Sequence, residues 1–136
     1  MKKLTLLFGL LCIFGGVLTA NAQDGGLYRR NIWRMIEEKP REGLWTIKRT
    51  DTIRINLVRL SGEMKMHKHP DAEHSIFVLE GKIDALIGTE RVTLKKGDFV
   101  SIPKGVPHKY TIRGKRAIII SMDAPYYDPA KTIILK

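Results

Sequence analysis

The chain has 136 residues, enough for one folded core and too few for a second. Lys and Arg number 24 against 14 Asp and Glu, a formal charge of +10. The basic residues are scattered (Arg29-Arg30, Lys48-Arg49, Lys95-Lys96, Arg113, Arg116), with no basic helix and no aromatic stacking set, so nucleic acid is not an expected partner. In chain order, Lys2 and Lys3 precede an uncharged stretch over 4–19, and Ala20-Asn21-Ala22 places small residues where a signal peptidase reads them. Residues 1–22 are therefore expected to be a secretory signal peptide, too short in its apolar part to span a bilayer. Cleavage after Ala22 would send residues 23–136 to the periplasm or outside the cell, with no stable membrane insertion. The single cysteine, Cys12, falls inside that leader without the small residue that a lipoprotein signal needs before it, so the mature chain is thiol-free.

Residues 23–43 read as an N-terminal extension. Within it, 28–38 contain good helix formers, with Ile32, Trp33 and Ile36 on one side and Pro40 as the stop. From residue 44 to 124 the pattern is β: short runs over 45–50, 53–60, 63–68, 74–80, 83–87, 91–94, 99–102, 108–112 and 116–122. Turn residues separate them, among them Ser61-Gly62, Gly81-Lys82, Gly88, Gly97-Asp98 and Arg113-Gly114-Lys115. Evenly spaced strands with hairpin breaks predict an all-β sandwich or barrel behind a short helical or extended segment. The tail, 125–136, carries Ile133-Ile134-Leu135, suited to an added edge strand or to covering a partner.

All four histidines lie in the β region. His67 and His69 are two apart and project from one face of a strand; His74 opens the next run; His108 follows the Pro103–Pro107 turn. Neutral imidazole is a common donor to divalent transition metals, and an i, i+2 pair on a strand converges on one point. Tyr110 shares the His108 face and is a candidate hydrogen-bond donor or proton relay, or else an aromatic that fills the barrel. Met64 and Met66 alternate with Lys65 and His67 and are expected to face away as core.

Two stretches carry a family resemblance. Gly62 through His67, His69, Glu73 and His74 to Gly81 resembles the first signature of the cupin superfamily, and Gly97-Asp98 through Pro103, Gly105 and His108 resembles the second. This implies a double-stranded β-helix (a jelly-roll barrel) holding a divalent transition metal: Mn, Fe, Co, Ni, Cu or Zn. There are three departures. Four residues, not five, separate Gly62 from His67; Ile112 stands where the pattern ends in Asn; and the third ligand slot is divided between neighbours. Seven residues back from Gly81 is His74, whereas four on from His69 is Glu73. Adjacent residues of a strand point to opposite faces. The register from Gly81 gives His67, His69, His74 and His108, with Glu73 as the alternative. The implied activities are a metal-dependent dioxygenase or related oxidoreductase on a small enol, diketone or aromatic, a non-enzymatic small-ligand binder, or a sugar or uronate isomerase or lyase. A homodimer is expected, with Ile133 to Leu135 or the helical segment as its contact.

Overall fold

The computed structural model describes residues 27–136; the expected signal peptide, including Cys12, lies outside the described residues. Helix α1 (Ile32–Glu38) begins later than the pattern suggested because Asn31 caps it, its side-chain oxygen accepting from the Arg34 amide at 3.1 Å. The strands are β1 (Gly43–Arg49), β2 (Arg54–Leu60), β3 (His67–Lys68), β4 (Glu73–Ile87), β5 (Glu90–Lys95), β6 (Phe99–Ile102), β7 (His108–Ala124) and β8 (Ile133–Ile134), with a 3-10 turn over Pro129–Lys131.

Two expected hairpin breaks are bends in continuous strands. Gly81 and Gly114, at φ 90° and 85°, let β4 and β7 turn without reversing. The antiparallel pairing of β4 with β7 continues on both sides of the bend, from Glu73↔Ala124 to Glu80↔Ile118 and again from Lys82↔Arg113 to Ile87↔His108. Each bent strand therefore serves two sheets. One runs β1-β2-β7-β4-β6 through residues 118–124 and 73–80; the other runs β8-β3-β7-β4-β5 through 108–113 and 82–87. This is the double-stranded β-helix that the sequence implied.

The inner faces pack as one cluster. Val58, Ile76, Val78 and Ile119 of the first sheet meet Ile83, Ala85, Tyr110 and Ile112 of the second. Burying each Val or Ile contributes about 1.5–3 kcal/mol, so this end of the barrel is firmly closed. At Gly81 the strands approach so closely that an added Cβ would lie 2.5 Å from the Arg116 carbonyl oxygen.

The polar residues that share these inner faces lie at the opposite end. Along β2 and β7, cross-strand partners form rungs that continue into β4: Val58–Ile119–Val78, Asn56–Ser121–Ile76, and last Arg54–Asp123–His74. Outside the first sheet, the Arg59 guanidinium donates to the Ile36 carbonyl at 2.8 Å and ties α1 to β2. The C-terminal tail adds β8 beside β3, with Ile134 opposite His67 and the Leu135 amide bonded to the Met66 carbonyl at 2.9 Å.

Candidate metal centre

The open end of the barrel gathers all four imidazoles. His67 and His108 are direct cross-strand partners on β3 and β7, so their side chains leave the same face side by side, with ring centroids 4.3 Å apart. His69 lies just past β3, where its carbonyl accepts from the Gly105 amide at 2.8 Å; the bond clamps the segment to the turn that precedes His108. His74 comes from β4, its ring stacked 4.5 Å from His69 and 5.4 Å from His108. The candidate donor atoms fall into two overlapping sets, His67–His69–His108 and His69–His74–Asp123, each with all atoms within 4.8 Å of one another.

Three of the four rings are held by one nitrogen. The His67 Nδ1 donates to the Lys65 carbonyl at 2.8 Å, and the His108 Nδ1 to the Val106 carbonyl at 3.0 Å, in both cases the carbonyl two residues back. The His74 Nδ1 lies 2.6 Å from the Asp123 carboxylate. A carbonyl can only accept, so in His67 and His108 the proton sits on Nδ1 and the Nε2 lone pair is free. Burial holds His67 below its ordinary pKa. Burial, reinforced by repulsion from His74, brings His69 down to about 4, and burial brings His108 down to about 3. These three rings are therefore neutral donors at neutral pH.

The residues fit a metal ion. Both nitrogens of His69 and the Nε2 of His108 are buried without a hydrogen-bond partner among the described residues. Such unpaired buried polar atoms are costly unless something binds them, and a neutral imidazole offers one lone pair for that purpose. Donor separations below 4.8 Å are close to the span of a coordination sphere with ~2.1 Å bonds. Hydrogen bonding of the far nitrogen to a carbonyl or carboxylate is the usual way ligating imidazoles are oriented.

Not every residue singled out in the sequence joins the cluster. Glu73 is exposed, and its carboxylate accepts from the Ser101 hydroxyl on the outer face, as strand alternation next to His74 requires. Tyr110 is almost wholly buried (1% exposed), 5.6 Å ring to ring from His108, and its hydroxyl has no partner among the described residues; burial raises its pKa, so it stays protonated. Met64 does not face away. The backbone from 64 to 66 is not strand, strict alternation fails there, and Met64 lines the cavity beside Lys65 and His67.

Two residues were missed. Asp123 sits one position past the end of the predicted last strand; the signal was a lone acid closing the run Ile118 to Met122, apolar but for Ser121. Tyr127 is 2% exposed and presents its ring edge-on to His69 at 4.8 Å, with its hydroxyl bonded to Thr132 at 3.2 Å. Nothing in the tail's spacing pointed to it.

A cavity of about 400 Å³ adjoins the cluster, within the range of small-molecule sites. Its walls combine His67, His69, His74 and Asp123 at one end with Val58, Leu60, Met64 and Ile119.

Comparison with known proteins gives the same picture. Residues 57–122 match the family described as Cupin domain. Quercetin 2,3-dioxygenase of Bacillus subtilis is 36% identical over 69 residues, which cover 48% of this chain but 20% of that protein, so the chain spans only about a fifth of that relative. Among solved structures, a cupin-2 domain containing protein from Shewanella frigidimarina superposes with a TM-score of 0.62 at 26% identity, over 71% of this chain and 94% of that one. The DMSP lyase DddQ from Ruegeria pomeroyi superposes at 0.60 with 21% identity, over 69% and 51% respectively.

Proposed function

Because the chain belongs to the cupin superfamily, we propose that His67, His69, His74 and His108 hold one divalent transition metal (Mn, Fe, Co, Ni, Cu or Zn) and that the adjoining cavity takes a small-molecule substrate. One observation carries this reading: His69 has two buried nitrogens without a partner, at the point where both donor sets overlap. When bound, such an ion supplies Lewis acidity and open positions for an oxygen donor. The chain's own residues do the rest. The Lys65 and Val106 carbonyls fix the donor nitrogens of His67 and His108, and Asp123 fixes His74. Tyr127 covers His69, and Val58, Ile119 and Met64 keep the substrate's body out of water.

For the reaction we favour a metal-dependent oxidation of the dioxygenase type on a small enol, diketone or aromatic, supported by the likeness to the Bacillus enzyme. A second reading, lyase or isomerase chemistry, is supported by the Tyr110 hydroxyl, a neutral donor buried near His108 with no other use in the fold. Elemental analysis of the purified protein beside His69→Ala tests the metal. Wild type is expected to retain a transition metal and the variant to lose it; equal content in both overturns the site. A substrate panel run with and without O₂ separates the reactions. Oxygen uptake selects the dioxygenase, turnover without O₂ selects the lyase or isomerase, and binding without turnover marks a ligand-binding cupin.

We also propose that the protein is exported and cut after Ala22, which the mass of the mature protein in the periplasmic or secreted fraction would test; an intact leader there overturns it. A homodimer is proposed through exposed apolar side chains at Trp33, Ile133 and Ile134. A monomeric mass by light scattering at micromolar concentration overturns that.

A further inference from the structure

We infer that Arg54 is the anion-binding residue of the cavity and that the ligand is a small organic acid, its carboxylate on Arg54 and its apolar body along Val58, Ile119 and Met64. This rests on the preceding reading of the cavity as a small-molecule site, and it names the substrate class.

The geometry comes from strand register. Arg54, Asp123 and His74 form one rung across β2, β7 and β4. Strands lie about 4.8 Å apart, so the Arg54 backbone stands about 10 Å from that of His74. The long arm of arginine spans much of such a gap, which places a guanidinium within reach of a ligand seated at the imidazoles. Arg54 lines the cavity and is only half-buried, and among the described residues it makes no ion pair. Its in-register neighbour Asp123 directs its carboxylate to His74 instead, at 2.6 Å.

The next rung inward offers a ligand little. The Asn56 side chain donates to Ser121 at 3.2 Å and accepts from Thr46 at 3.1 Å, so its amide is already satisfied. Beyond it, Val58 and Ile119 are apolar. Along β2 the cavity wall thus passes from cation to satisfied amide to hydrocarbon, a gradient that suits a molecule with one anionic end. Guanidinium matches a carboxylate through two parallel N–H···O bonds, which an ammonium cannot reproduce. Lys65, the other cation on the wall, is exposed and stands on a different segment from β2.

Titration calorimetry at fixed ionic strength tests this with benzoate, cinnamate and octanoate, each against its neutral amide, on zinc-loaded and on chelator-stripped protein. At least one acid is expected to bind wild type about 10–100-fold more tightly than its amide. Arg54→Gln should erase that preference and Arg54→Lys retain part of it, both with unchanged zinc content and urea midpoint. Equal binding of acid and amide, no binding of any acid at millimolar concentration, a preference that survives Arg54→Gln, or one erased by Lys65→Gln instead would each overturn the inference. The stripped protein keeps the two readings apart. A protein that binds no zinc yet still distinguishes acid from amide loses the metal centre and keeps Arg54; one that binds zinc without that distinction loses Arg54 alone.

Discussion

Asp123→Asn is the sharpest probe of how the imidazoles are organised. Asp123 is 5% exposed, and its carboxylate lies 2.6 Å from the His74 Nδ1, one of the shortest polar contacts in the barrel interior. The amide keeps the shape, and its oxygen still accepts from Nδ1–H, so the fold should hold within about 1 kcal/mol. What disappears is the charge that holds the His74 ring in its orientation. Loss of such a partner weakens metal binding about 10–100-fold, equivalent to about 1.4–2.7 kcal/mol. A competition titration of zinc against a chromophoric chelator at pH 7.5 reads this directly, with Glu73→Gln as the control. Glu73 is the sequence neighbour of His74 but faces the outer surface, so its variant should bind zinc as wild type does. Unchanged affinity in Asp123→Asn, or a loss in Glu73→Gln, would refute the arrangement. Within the same series His69→Ala should be the most damaging imidazole substitution, because His69 alone belongs to both donor sets.

The two bends give a stability prediction with an internal control. Gly81→Ala and Gly114→Ala both force a side chain to φ near +90°, which costs about 1–3 kcal/mol. Only at Gly81 does the new Cβ also meet backbone, 2.5 Å from the Arg116 oxygen and 2.9 Å from the Ala117 Cα. The urea midpoint should therefore fall clearly further for Gly81→Ala, and equal losses would refute the close approach. Tyr110→Phe removes a buried hydroxyl without a partner, so the metal-free protein should be as stable or up to about 1 kcal/mol more stable; a loss above that by urea titration would show that the hydroxyl is bonded. For pH, His67, His69 and His108 all titrate below 6.5 when folded, His69 near 4 and His108 near 3. The unfolded chain takes up these protons first, so their contribution to metal-free stability is complete above pH 6.5 and is lost as pH falls from there toward 4 and then 3. A slope that does not flatten in His108→Asn would refute the assignment of that loss to these rings.

The fold was legible because alternation and turn residues survive in the one-dimensional pattern: the runs at 53–60, 91–94 and 99–102 correspond closely to β2, β5 and β6. What misled was glycine. Gly81 and Gly114 look like hairpin turns, but a glycine at positive φ serves a bend as well as a reversal, and only long-range pairing with the partner strand distinguishes them. That His67, His69, His74 and His108 lie together was legible mainly from the two signature stretches; spacing by two related only His67 to His69, and His69 lies past the end of β3. Asp123 and Tyr127 were not, because their places depend on cross-strand register and on the irregular segment between β7 and the 3-10 turn. Met64 was misread because alternation was assumed to hold in the residues before the start of β3.

The location of the negative charge links the imidazole cluster to Arg54. Had Glu73 been a donor, the carboxylate would have touched the ion directly. Here the pleat turns Glu73 outward and brings in His74, whose Nδ1 meets Asp123 on the adjacent strand. In the proposed site the one nearby carboxylate, Asp123, would stand behind the His74 ring and orient it, leaving the coordination positions to the imidazoles. That placement also commits Asp123 to His74, although it is Arg54 that stands opposite it on the other flank. If Asp123 instead turned to Arg54, His74 would lose its anchor and the cavity its free cation at once. Orientation of His74 and the proposed selection of an anionic ligand are thus two consequences of one side-chain choice in a single rung. Asp123→Asn should therefore weaken zinc binding while leaving the acid-over-amide preference in place, whereas Arg54→Gln should do the reverse.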